Sequence, residues 1–149
     1  MKRFASVRGL SGWGLYLLLS AGALALRLYR LDAQSLWLDE GGTWAEVTGR
    51  TGKGWLAALA ELWSPDAGYP LYHLLLRLWV QVAGDSEWAL RFPSALSGAL
   101  AVAVLMLVVR EVGRLQGRAV RMWLVGVLAG LAPFALWHAQ DAKAYSLLF

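Results

Sequence analysis

The sequence predicts an all-α integral membrane protein with three transmembrane helices. Hydrophobic residues make up 58% of the 149 positions and charged residues only 16%, whereas a soluble domain usually carries about a quarter charged residues. Three uncharged runs approach the roughly 20 residues that a helix needs to cross a bilayer. The net charge is +4, but the basic residues flank these runs and form no basic aromatic face. We therefore expect membrane lipids, and not nucleic acid, as partners.

The apolar runs place the predicted spans at about 10–28, 92–109 and 122–140. Lys2 and Arg3 precede the first run, a pattern that a cleaved signal peptide shares. Because the later spans need membrane insertion in any case, we expect a retained anchor. Small residues recur in the other two spans and predict close packing between helices. They are Ser94, Ala95, Gly98, Ala99, Ala101, Gly126 and Gly130.

The long segment between the first two spans, 29–91, is predicted to be an external loop with interfacial helices. Within 71–83, His73, Arg77 and Gln81 are four residues apart, which places a polar stripe on one face of a helix. The apolar face of the same helix carries Leu71, Leu74, Leu75, Leu78 and Val82. Most of the nine Trp residues lie in this loop. Their rings favour the headgroup zone, so we expect these helices to lie in it.

The distribution of Lys and Arg predicts the orientation. If 71–83 crossed the bilayer, the four arginines within 110–121 would lie opposite the basic residues at 2–8, against the positive-inside rule. If 71–83 lies on the surface, both basic clusters are cytoplasmic. We therefore expect a multi-pass protein of the cell (plasma or inner) membrane with a cytoplasmic N-terminus. The loop 29–91 and the residues from 138 onward are then extracytoplasmic.

Two adjacent acids, Asp39 and Glu40, lie in the turn-rich segment SLWLDEGGTW just after the first span. Ionised carboxylates accept hydrogen bonds and bind hard cations, so an external pair indicates a general base or a cation site. A solvated loop is the alternative interpretation. The predicted topology brings Asp141, which follows the third span, to the same membrane face. Glu46 lies outside both motifs and is expected to be an ordinary external carboxylate.

Four segments in order resemble one family: SLWLDEGGTW, GYPLYHLLLRLW, RFPSALSGALAVAVLMLVVREVG and APFALWHAQDAKAYSLLF. Together they resemble the N-terminal part of the polytopic GT-C glycosyltransferases, in the superfamily of protein O-mannosyltransferases and aminoarabinose transferases. The resemblance implies an inverting transfer of a sugar from a polyprenyl-phosphate-linked donor to an acceptor hydroxyl at the extracytoplasmic face. The acceptor is left open.

The resemblance also implies that the fold is an incomplete GT-C-type domain. The family continues through many more spans, whereas this sequence stops in an apolar stretch at Phe149. We therefore expect an N-terminal fragment that is inactive by itself. The alternative is a small noncatalytic multi-pass membrane protein or assembly partner.

This chemistry suggests roles for five residues of the resembling segments and the loop between them. Asp39 is the expected base that takes the proton of the acceptor hydroxyl. Glu40 is expected to orient the acceptor or to support a cation ligand, and the alternative is that it caps a helix or turn beside Gly41 and Gly42. Lys143 is expected to bind the donor phosphate. Tyr145 and Asp66 are the other expected substrate contacts.

A divalent cation is the one expected cofactor, with Asp141 and His138 as its ligands. The alternatives are that Asp141 positions the base and that His138 is a side chain seated at the membrane interface. The family often has Gln-Glu-Ala-Arg-x-Tyr where this chain has Gln-Asp-Ala-Lys-Ala-Tyr, so a point charge at Lys143 replaces a planar fork. The family also commonly shows His-Pro-Pro-Leu-Tyr before the interfacial helix. This chain has Tyr-Pro-Leu-Tyr at 69–72 and so lacks the His and one Pro. This departure weakens any substrate role carried over to Asp66 or His73.

Overall fold

The computed structural model describes residues 12–64 and 69–147, and every regular element in these ranges is helical. This confirms the all-α prediction. The α-helices are α1 (Gly12–Leu28), α2 (Leu38–Val47), α3 (Trp55–Ala60), α4 (Pro70–Ala83), α5 (Glu87–Leu115), α6 (Met122–Gly130) and α7 (Pro133–Ala139). Short 3₁₀ turns cover Glu61–Trp63 and Ala144–Leu147.

Helices α1, α5 and α6 pack against one another and form the apolar part of the molecule. A Cβ added at Gly98 would lie 2.8 Å from the Cβ of Ala139 and 2.9 Å from Nε of Arg27, and one added at Gly126 would overlap Sδ of Met106. The helix backbones approach this closely because no side chain stands between them. The predicted packing through small residues is confirmed, although Ala101 is only half-buried.

Helix α5 is the one helix of the described residues that is by itself long and apolar enough to cross a membrane. It has 29 residues and contains the predicted span 92–109. Pro93 lies inside it and cannot donate to the carbonyl of Ala89. That carbonyl instead accepts a hydrogen bond of 2.8 Å from Nε1 of Trp79, so the helix continues through the proline.

The predicted span 122–140 is two helices, α6 and α7, which meet at an angle of 60°. Pro133 begins α7, and the residue before a proline is held out of the helical region. Ala132 accordingly has a ψ of 114°. Helix α1 has 17 residues, which is short for a span. The arrangement with three spans therefore stays a prediction.

Helix α4 exposes most of its predicted apolar face, whereas part of its predicted polar stripe is buried. Tyr72, Leu76 and Arg77 are buried, and the polar stripe is partly turned inward, where Arg77 donates to the carbonyl of Lys53 at 2.8 Å. An apolar stripe remains exposed, consisting of Leu71, Leu75, Leu78 and Val82. Such a stripe suits a helix that lies on a membrane surface.

We expect Thr51→Cys to be labelled by a membrane-impermeant thiol reagent on intact cells, and Gln116→Cys to be labelled only after the cells are opened. Both positions are exposed, and the chain has no cysteine of its own. The reason is the positive-inside rule, which places 110–121 in the cytoplasm. Labelling of Gln116→Cys on intact cells would contradict the predicted topology and make α4 a span.

Candidate functional site

The acidic pair lies in the first turn of α2, which corrects the expected turn-rich loop. Helix α2 begins at Leu38 and carries Asp39 and Glu40 where negative charge favours the positive end of a helix dipole. Gly41 and Gly42, whose helix propensity is poor, follow inside the same helix. The favourable first turn and the contacts of Glu40 offset their cost.

Glu40 is completely buried and is a structural link between distant segments. Its carboxylate accepts hydrogen bonds from Nε and Nη2 of Arg91 at 2.9 and 2.6 Å. It also accepts from the backbone N–H of Ala142 at 2.7 Å and, at 3.4 Å, from that of Trp37. Four protein donors therefore surround this carboxylate.

The guanidinium of Arg91 extends the link to the end of α1. It donates to the carbonyls of Leu31, Gln34 and Ser35 at 2.9, 2.8 and 3.3 Å. The loop after α1, the start of α2, the first turns of α5 and the segment after α7 thus meet at one buried ion pair. Removing one partner of such a pair leaves the other charge buried and uncompensated.

The segment after α7 is held from its other sides as well. Nε2 of Gln140 donates to the carbonyls of Arg27 and Tyr29, both at 3.1 Å, and so caps the end of α1. Oγ of Ser94 donates to the carbonyl of Lys143 at 2.8 Å. Tyr72 lies 3.1 Å from the same Oγ, and burial raises the pKa of Tyr72 to about 12. These contacts fix the backbone of Lys143.

The result is a close pair between the two motifs: Nζ of Lys143 lies 3.1 Å from Oδ1 of Asp39. The side chain of Asp39 is 44% exposed and that of Lys143 is 15% exposed. Both line an open depression, which we call the Asp39 depression. Its two adjoining parts have volumes of about 570 and 580 Å³, and Asp39, Glu46, His73 and Lys143 line both.

Tyr145 joins the same site. Its ring packs edge to face on Tyr69 with centroids 6.5 Å apart, and both line the second part of the depression. Burial raises the pKa of Tyr145, and the negative charge of Asp39 adds to this effect. The structure therefore brings Asp39, Lys143 and Tyr145 together, and their roles as base and substrate contacts stay predictions.

Asp141 and His138 pair with each other: Oδ2 of Asp141 lies 3.3 Å from Nδ1 of His138. Asp141 lines a separate cavity of about 760 Å³ and does not line the Asp39 depression. Burial raises the pKa of Asp141 although the hydrogen bond with His138 opposes the effect.

Within residues 12–64 and 69–147, no group of three or more His, Cys, Asp or Glu could hold a metal ion. Mg²⁺ is often held by one or two carboxylates together with waters and substrate phosphates. The expected divalent cation therefore stays a prediction. Asp66 lies outside the described residues.

Three residues of the site were missed or misread in the sequence. Arg91 carried no site prediction, and His73 only a weak carried-over one. Glu46, expected to be an ordinary external carboxylate, lies in the depression with Oε1 at 3.1 Å from Nδ1 of His73. Asp39 and Glu46 are seven residues apart, which places them on one face of a helix. A spacing of seven residues predicts a shared face only in a helix, and this segment was interpreted as a loop.

Comparison with protein family models, characterised proteins and solved structures found no match to this chain.

Proposed function

We propose that this protein is an inverting glycosyltransferase that uses a polyprenyl-phosphate-linked sugar at the extracytoplasmic face of the membrane. The observation that supports it best is the pairing of Asp39 with Lys143 at 3.1 Å in an open depression. A base for an acceptor hydroxyl and a cation for a phosphate are the two groups that this reaction needs. The four segments that resemble GT-C enzymes support the same reaction.

In this proposal Asp39 takes the proton of the acceptor hydroxyl while the hydroxyl oxygen attacks C1 of the sugar. The bond between C1 and the phosphate oxygen breaks, its electron pair leaves with the phosphate, and the configuration at C1 inverts. Lys143 then faces the developing phosphate charge. Before substrate binds, the two side chains neutralise each other, so the donor phosphate competes with Asp39 for Lys143 and leaves the carboxylate free to act.

Glu40 has a positioning role in this proposal. Its carboxylate is already surrounded by protein donors, so it holds Asp39 beside Lys143 and thereby orients the acceptor indirectly. Tyr145 supplies a hydroxyl at the wall of the depression, and Asp66 stays a proposed substrate contact. No step passes through a metal ion.

The rim of the depression suits a lipid-linked donor. Trp37 and Leu38 line it, and they are 51% and 93% exposed. Large exposed apolar side chains beside a charged site favour a ligand with one polar and one apolar end. A polyprenyl chain can lie along this rim while its phosphate reaches Lys143.

We expect Lys143→Gln to reduce sugar transfer by about 10-fold to 100-fold, because one charge-assisted hydrogen bond contributes about 1.5–3 kcal/mol. The natural protein, as its gene encodes it, would be reconstituted in liposomes. Two classes of radiolabelled donor would be compared, sugars on polyprenyl phosphate and sugars on a nucleotide. Transfer should require the polyprenyl phosphate, and the donor KM should rise in the variant.

Arg118→Gln is the control, since this exposed basic residue lies outside the depression. It should transfer sugar as the unaltered protein does. If no polyprenyl-phosphate sugar in a broad panel is a donor for the unaltered protein, the proposal fails and the noncatalytic membrane protein is the better interpretation.

A further inference from the structure

A second acid–base pair lies in the Asp39 depression. Nδ1 of His73, in the first turn of α4, is 3.1 Å from Oε1 of Glu46, near the end of α2. The two side chains are 19% and 23% exposed. Both line the two parts of the depression together with Asp39 and Lys143. The site therefore contains two pairs, each with one acidic and one basic group.

The Glu46 contact orients the imidazole. When the carboxylate of Glu46 accepts from Nδ1–H, the ring is fixed and Nε2 is the nitrogen left for another partner. In the imidazolium form both ring nitrogens carry a proton, so Nε2–H can be donated to a ligand while Nδ1–H stays on Glu46. A histidine held in this way is a proton donor.

The geometry points to His73 as the general acid for the departing phosphate, with Glu46 as the residue that positions it. This inference rests on the proposed function. It assigns a proton donor to the phosphate, while Asp39 accepts the proton of the acceptor hydroxyl. Asp39 would then act at the acceptor end of the bond exchange, and Lys143 and His73 at the phosphate end.

The proton balance of the step is complete. The acceptor O–H proton moves to the carboxylate of Asp39, and the C1–O(phosphate) bond breaks with its electrons on the phosphate oxygen. Nε2–H of His73 gives its proton to that phosphate, which leaves as the polyprenyl hydrogen phosphate. Asp39 then loses a proton to water, and His73 gains one. A phosphate monoester and an imidazole both titrate near neutral pH, so the transfer between them is nearly balanced in free energy.

Other ionisable groups also face His73 and shape the expected pH dependence. From the elements around α4 they are Asp39 and Glu46 on α2, Lys53 and Glu61 beside α3, Lys143 and Tyr145 after α7, and Tyr69 and Arg77 on or next to α4 itself. Three carboxylates therefore offset the lysines and Arg77. Helix α5 faces this region with Ser94, which contacts the neighbouring Tyr72.

The experiment compares His73→Gln, Glu46→Gln and Gln81→Ala in the natural protein, reconstituted with a polyprenyl-phosphate sugar, over a range of pH. His73→Gln should lower kcat about 10²-fold and abolish the alkaline limb of the pH–rate profile. Glu46→Gln should lower kcat in the otherwise unaltered protein but have little further effect in the His73→Gln background, because Glu46 acts only through the imidazole. Gln81→Ala, an exposed position on α4, should match the unaltered protein.

The outcomes separate this inference from the function on which it rests. If Lys143→Gln lowers transfer while His73→Gln keeps the full rate and the same alkaline limb, the inference is overturned and the glycosyltransferase proposal stands. A Glu46→Gln effect of the same size in the His73→Gln background equally overturns the positioning role, because a merely structural contact would alter the rate whether or not the imidazole is present. Absence of transfer by the unaltered protein overturns the function and this inference together.

Discussion

Asp39→Asn is expected to lower sugar transfer by about 10²-fold or more, which is the usual contribution of a general base. The amide keeps the size of the side chain and can still hydrogen-bond, but it cannot accept the acceptor proton at neutral pH. Asp39 is 44% exposed and contacts Lys143, so its replacement leaves the buried contacts of α2 intact. The measurement is kcat for transfer from a polyprenyl-phosphate sugar by the natural protein in liposomes.

Asp32→Asn is the matched control, an exposed aspartate seven residues earlier, in the segment between α1 and α2. It should transfer sugar at the rate of the unaltered protein, and both variants should insert into membranes equally well. Should Asp39→Asn keep most of its activity, the acidic pair is not the source of the base and the site assignment is wrong.

Glu40→Gln is expected to destabilise the fold by about 3–5 kcal/mol, the usual cost of removing one partner of a buried ion pair. The amide leaves the charge of Arg91 buried without compensation, and its nitrogen cannot accept from Arg91 or from Ala142 N–H. The measurement is the free energy of unfolding in detergent. Activity should fall too, because the contact that holds Lys143 beside Asp39 is lost.

Glu111→Gln is the matched control. Glu111 forms an exposed ion pair with Arg114, three residues later, and exposed ion pairs contribute little to the free energy of unfolding. A double variant that also carries Arg91→Gln should be less unstable than the sum of the two single variants, because it removes the uncompensated charge. Equal stability of Glu40→Gln and Glu111→Gln would show that the buried link does not stabilise the fold.

The sequence allowed much of the candidate site to be predicted, because the order of apolar runs places distant segments on one membrane face. Asp39, Lys143 and Tyr145 were expected together and do lie together. The different positions of Asp39, in the depression, and Glu40, in the buried ion pair, were not predicted. Adjacent residues on a helix point about 100° apart, so one carboxylate faces the depression and the other the core, and only the true secondary structure shows which.

The helices themselves were largely determined by local pattern. The amphipathic period at 71–83 predicts α4, which covers Pro70–Ala83, and the apolar run at 92–109 predicts the central part of α5. Both patterns are local, and hydrophobic periodicity reports them directly. The helix at the acidic pair was missed because two glycines and a polar first turn imitate a loop, while the contacts that stabilise it are remote.

The sequence by itself determined the all-α class, the small-residue packing of α5 and α6, and the acid and base types that the site could use. Only the tertiary structure decided that Glu40 pairs with Arg91, 51 residues away, and with the N–H of Ala142, 102 residues away. It also decided that Glu46 and His73 share the depression with Asp39. The physical reason is that a local pattern records which face of a helix is apolar, whereas a buried ion pair depends on which faces of different helices meet.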